Sequence, residues 1–345
     1  MSVPASNILW IGTEGQMEEH LVPDAGIRLK TIAGGPIVGV SLRNRLQNAA
    51  QLAGSLFDAN RIIATFKPDV LFMTGGYVNL PVALAAWLRR LNSVIYLPDI
   101  EPGSSIRFLT RFVRHVATTT SESEAYLPSD KMVVTGYPVR DKVRRALSMS
   151  QAEARAGFDL QPDRPTLFVF GGSRGAQSIN QALVRFLPEL LSEAQVIHIS
   201  GTLTWEETSA FAGTLPPSLR RFYRPFPYLE EEMGAAFRAA DLVLARAGAS
   251  MLGESPAFGL ASILVPYPYA WRYQKVNADY LASRGAAIRI DDEEMGEKLL
   301  PAIRSLLFNP ERRQRMSQAA SELDNPDAAR RLAKLLLSLE GNSHG

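Results

Sequence analysis

The fold is decided by one stretch, Thr166-Leu167-Phe168-Val169-Phe170-Gly171-Gly172-Ser173-Arg174-Gly175-Ala176. Its first half is an apolar run that predicts a buried strand, and the glycine-rich turn leads into a helical pattern from Gln177 to Leu191. This arrangement aims free backbone N–H groups and the positive end of a helix dipole at one point. The stretch therefore predicts a strand–turn–helix unit and a candidate cradle for a diphosphate. A tight turn that binds nothing is the alternative.

The rest of the chain repeats this alternation of short apolar runs and longer helical segments, which is typical of parallel βαβ units. We expect an α/β protein of two doubly wound, Rossmann-like domains that face each other across a cleft. The predicted domains are residues 1–150 and 151–330, with a C-terminal helix and tail at 326–345. The boundary falls in a charged stretch, Val139 to Arg164, that has turn formers and no apolar strand.

The predicted strands alternate with helices along both halves. In the first half they are Asn7–Ile11, Ile27–Ile32, Asp69–Met73, Ser93–Tyr96, Val116–Thr119 and Lys131–Val134, with a long helix over Ser41–Phe66. In the second half they are Thr166–Phe170, Gln195–Ile199, Leu242–Ala245, Ile263–Val265 and Ala287–Ile290. Ligands of such sheets bind beyond the carboxyl ends of the strands, so the loops there are the places to look for chemistry.

Composition excludes several classes of site. The 345 residues include no cysteine, which rules out disulfides, thiolate metal sites and cysteine nucleophiles, and the four histidines lie far apart. A net charge of +2 gives no general reason to expect nucleic acid as a partner. We expect neither a metal nor a cofactor. No apolar run reaches the roughly 18 residues of a membrane span, and the N-terminus does not read as a leader.

A second turn of the same kind follows the strand Leu242–Ala245, at Arg246-Ala247-Gly248-Ala249-Ser250. Glu254 comes one helical turn later, where a carboxylate could accept both ribose hydroxyls; a solvated first-turn glutamate is the ordinary alternative. The next helix presents Gln274 and Asn277, whose amides are three residues apart and suit sugar hydroxyls. Three successive strand ends thus offer phosphate, ribose and sugar contacts.

In the first half, basic residues alternate with large apolar ones in two segments. The first is Trp87-Leu88-Arg89-Arg90 and the second runs from Ile106 to Val113. This mixture suits the surface of an anionic bilayer. The alternative is that the apolar residues belong to the core and the arginines form a solvated face, and helical periodicity alone slightly favours it.

Taken together, these motifs resemble the MurG-type transferases, two-domain GT-B enzymes of peptidoglycan synthesis. The resemblance covers the chain from Ile8 to about Leu336. It is carried by Trp10-Ile11-Gly12-Thr13-Glu14-Gly15, Thr74-Gly75-Gly76-Tyr77-Val78, Thr135-Gly136-Tyr137-Pro138-Val139-Arg140, the stretch Gly171–Asn180, Arg246–Ser250, Glu254 and Ile263-Leu264-Val265-Pro266.

The resemblance implies a donor site for UDP-N-acetylglucosamine in the second domain. Ser173 and the amides around Gly172 would hold the diphosphate with help from Arg140, and Glu254 would take the ribose. Gln274 and Asn277 would meet the N-acetylglucosamine. Three further residues are implied to contact the donor: Leu229, whose backbone would read uracil, Ala249 and Ser250.

The resemblance also implies the acceptor and the reaction. The acceptor would be lipid I, a polyprenyl diphosphate that carries a muramyl peptide, and Gly75, Gly76 and Tyr77 lie on its side. An inverting transfer would give lipid II for the cell wall, on which cell shape and division depend. The enzyme would be peripheral on the cytoplasmic face of the bacterial membrane, attached to its anionic surface through Trp87–Arg90.

Three departures from the family pattern bear on these expectations. The family's first strand and its glycine-rich loop ending in histidine have no counterpart, which predicts a gap in the first sheet. In the loop Tyr96-Leu97-Pro98-Asp99-Ile100-Glu101, Asp99 takes the place of the usual asparagine and is a candidate base, with Glu101 a weaker one. Trp271 and Tyr273 replace polar residues near the sugar. A transferase that uses a glycerolipid acceptor, and a nucleotide-sugar-binding protein without catalysis, remain as alternatives.

Overall fold

The computed structural model describes residues 3–33, 42–76, 78–172, 176–268 and 273–340, with the backbone alone at 42–51. The chain divides into two compact units. The first comprises residues 1–98, 102–135 and 330–345, and the second comprises residues 99–101 and 136–329. The short segment that carries Asp99 therefore belongs to the second unit.

The strands of the first unit are all parallel where they pair. They are β1 (Leu9–Thr13), β2 (Arg28–Ile32), β3 (Val70–Met73), β4 (Asn92–Leu97), β5 (His115–Thr118) and β6 (Met132–Val134). They form two sheets, β1-β2 and β3-β4-β5-β6, and no ladder among the described residues joins β1 to β3. The gap predicted for the first sheet is thus observed.

The strands of the second unit form one parallel sheet in the order β12-β11-β10-β7-β8-β9. They are β7 (Thr166–Phe170), β8 (Gln195–Ile199), β9 (Tyr223–Phe226), β10 (Leu242–Ala245), β11 (Ser262–Leu264) and β12 (Ala287–Arg289). β7, β8 and β10 are buried along their whole length, which explains their uninterrupted apolar sequence. The chain reverses its order of strands at β7, which pairs with both β8 and β10. A ligand site is expected beyond the carboxyl ends of these strands.

Helices connect the strands of both units. They are α1 (Glu18–Asp24), α2 (Leu42–Phe66), α3 (Asn79–Leu88), α4 (Ser104–Leu109), α5 (Asp141–Arg144), α6 (Gln151–Ala156), α7 (Gln177–Glu193), α8 (Trp205–Thr214), α9 (Pro217–Arg220), α10 (Met233–Ala239), α11 (Glu254–Ala257), α12 (Tyr273–Ser283), α13 (Met295–Leu307), α14 (Pro310–Ser321) and α15 (Ala328–Leu337). Within the described part of the chain, none is long and apolar enough to cross a bilayer.

One apolar cluster holds the two sheets of the first unit together. Ile11 of β1 and Leu71 of β3 both pack against a core made by Ile32, Ile63 of α2 and Ala85 of α3. The two sheets therefore share their helices although no ladder joins the strands that the structure describes.

The last helix and the residues that follow it close the other face of the first unit. Leu332 and Leu339 pack against Val94 and Tyr96 of β4 and against Ala117 of β5. The Asn92 side chain donates a hydrogen bond to the Leu339 carbonyl at 3.0 Å. Because β4 and β5 are buried by residues more than two hundred positions away, the first unit is not continuous in the sequence.

Candidate functional site

The glycine turn after β7 is a close-packed piece of backbone. A β-carbon at Gly171 would lie 2.2 Å from the β-carbon of Ala176 and 2.5 Å from its nitrogen, and Gly172 has φ +92°. Neither position tolerates a side chain. Ala176, which meets Gly171, immediately precedes α7, so the first N–H groups of this 17-residue helix lie close to Gly171. Ser173, the residue predicted to meet the diphosphate, lies outside the described residues.

The loop after β10 is tied to its neighbours by a buried arginine. The Arg246 guanidinium donates to Asp292 Oδ1 at 2.5 Å, to Ser178 Oγ at 2.6 Å and to the carbonyls of Val265 and Pro266, both at 3.2 Å. Ser178 in turn donates to Asp292 at 2.9 Å. One side chain thus links the beginning of α7 with the loops that follow β10 and β11. The sequence motifs did not assign an individual role to Arg246 or Asp292. The position of Arg246, a charged residue directly after a buried strand, could have indicated a buried ion pair.

Glu254 is buried, with 4% of its surface exposed, at the start of α11. Burial raises the pKa of its carboxyl group, while a hydrogen bond from Ser250 and the charge of Arg140 act in the opposite direction. The Arg140 guanidinium lies 3.6 Å from Glu254 Oε1, and its own side chain is 55% exposed. A buried carboxylate with one exposed arginine beside it is not the solvated glutamate of the ordinary alternative. It can accept hydrogen bonds from a ligand.

Tyr137 completes this part of the second unit. Its ring lies against Gly253, immediately before Glu254. Burial, together with the nearby charge of Glu254, raises the pKa of the Tyr137 hydroxyl to about 12. The phenol therefore stays protonated at neutral pH and can act as a hydrogen-bond donor.

Asn277 and Asp99, predicted for different roles, are in direct contact. The Asn277 amide donates to Asp99 Oδ1 at 2.7 Å and to the Ala247 carbonyl at 3.1 Å. It accepts from the Ile100 N–H at 3.2 Å. Burial raises the pKa of the Asp99 carboxyl group, and the hydrogen bond from Asn277 partly opposes this. Asn277 is fully buried, so the sugar contact expected for its amide stays a prediction.

The remaining residues predicted for the donor have these positions. Gln274 is half-buried and accepts from the Tyr267 N–H at 2.9 Å through its side-chain oxygen. Ala249 and Ser250 are half-buried in a short 3₁₀ helix after β10. Leu229 is buried three residues after the end of β9, and Glu101 is half-buried beside Ile100.

In the first unit, the predicted acceptor side is a glycine turn followed by a helix. Gly75 and Gly76 have φ +103° and +105°, and α3 begins at Asn79. The Asn79 side chain is buried, and its Nδ2 has no hydrogen-bond partner among the described residues. A buried amide donor next to a glycine turn at a helix start is suited to an anionic or carbonyl ligand. Tyr77 lies outside the described residues.

The basic and apolar segment Trp87–Arg90 is exposed, and it forms part of what we call the aromatic patch: Trp87, Leu88, Phe108 and Phe112 with the arginines around them. Trp87 is 53% exposed, Leu88 63% and Phe108 43%. The Trp87 ring meets the Phe112 ring edge-on at 5.7 Å, and Arg111 lies over Phe108. Trp87, Leu88 and Phe108 are on the surface, so the alternative that they form the core is wrong for them, whereas Phe112 is half-buried. It is right for Leu109 and Val113, which are buried.

Metal ligands are not grouped in the described ranges: no cluster of three or more His, Asp or Glu side chains is positioned to hold an ion there. What the described residues of the second unit do offer is a glycine turn at a helix start, a buried carboxylate and an adjacent arginine. Two units of parallel strands joined by helices, with such strand ends in the second unit, define the GT-B class of fold.

Comparison with known proteins identifies the family. Residues 4–118 match the Glycosyltransferase family 28 N-terminal domain, and residues 166–332 match the Glycosyltransferase family 28 C-terminal domain. The chain therefore belongs to glycosyltransferase family 28.

Similar proteins bear one common name. A protein from Roseiflexus sp. (strain RS-1) is 38% identical over 96% of this chain and 83% of its own length. One from Thermodesulfovibrio yellowstonii is 35% identical over 97% and 91%. Both are called UDP-N-acetylglucosamine--N-acetylmuramyl-(pentapeptide) pyrophosphoryl-undecaprenol N-acetylglucosamine transferase. The resemblance inferred from the sequence motifs is thus confirmed.

Solved structures agree. The crystal structure of Acinetobacter baumannii MurG has a TM-score of 0.74 and 26% identity, covering 95% of this chain and 90% of that one. A UDP-GlcNAc 2-epimerase from Neisseria meningitidis has a TM-score of 0.63 at 12% identity, covering 96% and 91%, which shows a shared fold alone.

Proposed function

We propose that this chain transfers N-acetylglucosamine from UDP-N-acetylglucosamine to lipid I, and so forms lipid II for peptidoglycan. The observation that carries the proposal is the buried Glu254 beside Arg140, at the strand ends of a unit that matches the family's C-terminal domain. The names of the relatives supply the donor and the acceptor.

Donor binding follows from the chemistry of the strand ends. The N–H groups around Gly172 and at the start of α7 bind the diphosphate, and the exposed Arg140 adds a positive charge. Glu254, in its ionised form, accepts hydrogen bonds from the ribose hydroxyls. The backbone at Leu229 reads uracil, and Gln274 lies on the side of the sugar.

The reaction is a single inverting displacement. Asp99 takes the proton of the acceptor hydroxyl as its oxygen bonds to C1 of N-acetylglucosamine. The bond from C1 to the phosphate oxygen breaks, and UDP leaves with the electron pair. Its new charge is stabilised by the helix N–H groups and Arg140. Because burial raises the pKa of the Asp99 carboxyl group, this carboxylate is a better proton acceptor than an exposed one.

The first unit serves the acceptor and the membrane. Gly75, Gly76 and the Asn79 amide contact the acceptor's diphosphate; support comes from the glycine φ values and from an Asn79 Nδ2 that has no hydrogen-bond partner among the described residues. The aromatic patch binds the headgroup region of an anionic bilayer, on its cytoplasmic face, and the exposure of Trp87 and Leu88 beside arginines supports this assignment.

The proposal is tested by transfer of radiolabelled N-acetylglucosamine from its UDP donor to a short-chain lipid I analogue. We expect labelled lipid II, and loss of product with Glu254→Ala. Diacylglycerol is assayed in parallel, because labelled glycolipid from it alone would establish the glycerolipid alternative. Absence of any product, with UDP-N-acetylglucosamine still bound in calorimetry, would contradict the transferase and leave a binding protein.

A further inference from the structure

We propose that Asn277 is a positioning residue that acts through Asp99: its amide holds the Asp99 carboxylate, and the backbone that carries it, in one orientation. The inference rests on the proposed function, because the orientation of Asp99 matters only if it serves a reaction. It differs from the sugar contact expected from the sequence.

The contacts of Asn277 are almost complete without a ligand. A primary amide has two N–H donors and two oxygen lone pairs. Both donors are used, one on Asp99 Oδ1 at 2.7 Å and one on the Ala247 carbonyl at 3.1 Å. The oxygen accepts from the Ile100 N–H at 3.2 Å. Asn277 is fully buried, so its amide has no free donor for a sugar hydroxyl.

The same contacts fix which way the amide faces. The Asp99 carboxylate and the Ala247 carbonyl only accept, so the nitrogen must face them. The Ile100 N–H only donates, so the oxygen must face it. Aspartate at 277 would set a second carboxylate against Asp99, and leucine would leave the Ile100 N–H without this acceptor. An amide of this length is the side chain that satisfies all the groups.

The position of Asp99 gives the contact its consequence. Asn277 of α12 forms hydrogen bonds with two adjacent residues, with the side chain of Asp99 and with the backbone N–H of Ile100. Ala247 belongs to the loop that also leads to Glu254. Asn277 therefore holds the candidate base at a fixed position beside the loop after β10, and a shift of about 1 Å at a catalytic group can cost about a hundredfold in rate.

The contact also affects the charge state of Asp99. The charged and titratable groups that act near it are Tyr137, whose phenol senses the Asp99 charge, and Glu254 and Arg140, which act on Tyr137 in turn. The hydrogen bond from Asn277 favours the ionised carboxylate against burial. Without it, the pKa of Asp99 rises further and a higher pH is needed to ionise the base.

The test is Asn277→Ala, measured with the lipid I analogue and UDP-N-acetylglucosamine. We expect kcat to fall about a hundredfold, the KM for the donor to stay within about threefold, and the acidic limb of the pH profile to move to higher pH. The double variant Asp99→Ala/Asn277→Ala should be no slower than Asp99→Ala. The control is Asn180→Ala, which removes another buried amide of the second unit, bonded to His198, Ser200 and Thr204. It should lower stability without moving the acidic limb.

Other outcomes overturn the inference. A raised donor KM with unchanged kcat would make Asn277 a sugar contact, and additive losses in the double variant would mean that it does not act through Asp99. A second measurement does not need turnover: the Asp99 carboxyl is titrated by carbon NMR in both proteins. An upward shift in Asn277→Ala supports the contact even if the parent protein proves inactive on lipid I, which would contradict the proposed function alone. An unchanged titration overturns the inference.

Discussion

The ring of Tyr137 occupies the space in which a β-carbon of residue 253 would stand. Such an atom would lie 2.5 Å from Cδ1, 2.8 Å from Cβ and 2.9 Å from Cγ of the tyrosine, all closer than real contacts allow. Glycine at 253 therefore permits an aromatic ring to lie directly on the backbone that leads into Glu254. Tyr137, Gly253 and Glu254 form one packed group, and a change in one is expected to displace the others.

Gly253→Ala is the direct test of this packing. The added methyl must push the Tyr137 ring or the start of α11 aside, so we expect UDP affinity to fall about tenfold and stability by about 1–3 kcal/mol. Calorimetry and urea unfolding measure the two effects. Gly213→Ala is the matched control, because nothing lies within 4 Å of a β-carbon there and alanine favours the helix. Equal behaviour of the two variants would contradict the packing argument.

Replacement of Glu254 by glutamine tests its role toward ribose. The amide keeps the shape but loses the charge and one acceptor, so we expect UDP to bind about 10–100-fold more weakly. The affinity of the parent protein should also fall as pH drops through the raised pKa of Glu254, because the protonated carboxyl accepts less well. Glu230→Gln, at an exposed side chain, is the control. If UDP-sugar binding is insensitive to Glu254→Gln, another group holds the ribose.

Disruption of the hydrogen-bond network around Arg246 is expected to lower the stability of the protein strongly. Arg246→Leu leaves the buried side of Asp292 without its cation, and breaking a buried pair of this kind costs about 3–5 kcal/mol. The loops after β10 and β11 should loosen with it, and UDP affinity should fall in parallel. Urea unfolding at neutral pH measures the first effect. Lys298→Ala, in an exposed pair with Glu294, should leave the unfolding midpoint unchanged.

His198 predicts a loss of stability in acid. It is fully buried, with Nδ1 accepting from the Tyr223 hydroxyl at 2.7 Å and Nε2 donating to Asn180 Oδ1 at 3.0 Å, and burial lowers its pKa to about 3. Asn180 gives its own N–H groups to Ser200 and Thr204, which fixes this tautomer. Below about pH 6.5 the imidazole is protonated in the unfolded chain but stays neutral in the folded protein. The free energy of unfolding therefore falls as pH falls, by up to about 1.4 kcal/mol per pH unit.

The measurement for His198 is urea unfolding between pH 7.5 and 5. His198→Gln should be less stable at pH 7.5 but should lose less stability on acidification than the parent protein. A parallel fall in both proteins would mean that His198 is not the group responsible.

The aromatic patch predicts membrane binding that depends on both apolar contact and charge. The double change Trp87→Ser/Leu88→Ser should weaken sedimentation with phosphatidylglycerol vesicles about tenfold or more, and added salt should weaken binding of the parent protein. Leu203→Ser is the control, because Leu203 is 73% exposed and belongs to the second unit. Binding that tolerates the double change would place the membrane surface elsewhere.

The bounds of a strand were predictable where burial on both faces requires an uninterrupted apolar run. Thr166–Phe170, Gln195–Ile199 and Leu242–Ala245 begin and end where the apolar runs predict, because these central strands are buried on both faces. Tyr223–Phe226 was missed: Pro225 and Arg224 break its apolar pattern, and only its place at the edge of the sheet makes them acceptable.

The candidate site was predictable as a set of loops but not as a set of contacts. Sequence spacing placed Glu254 after a strand, yet it did not distinguish a buried carboxylate from a solvated one. The pairing of Asn277 with Asp99 joins residues 178 positions apart, so no local pattern records it. The resemblance to the family assigned roles to single residues, which local sequence patterns alone do not do.

The discontinuity of the first unit has a consequence for synthesis. Val94, Tyr96 and Ala117 emerge early from the ribosome, but Leu332 and Leu339, which cover them, are translated last. The second unit, whose sequence is complete at residue 329, can therefore finish folding while this apolar face is still bare. Until residues 330–339 emerge, this apolar face is exposed in the nascent chain, and a premature stop after residue 329 would release a protein with a complete second unit and an uncovered apolar face on the first.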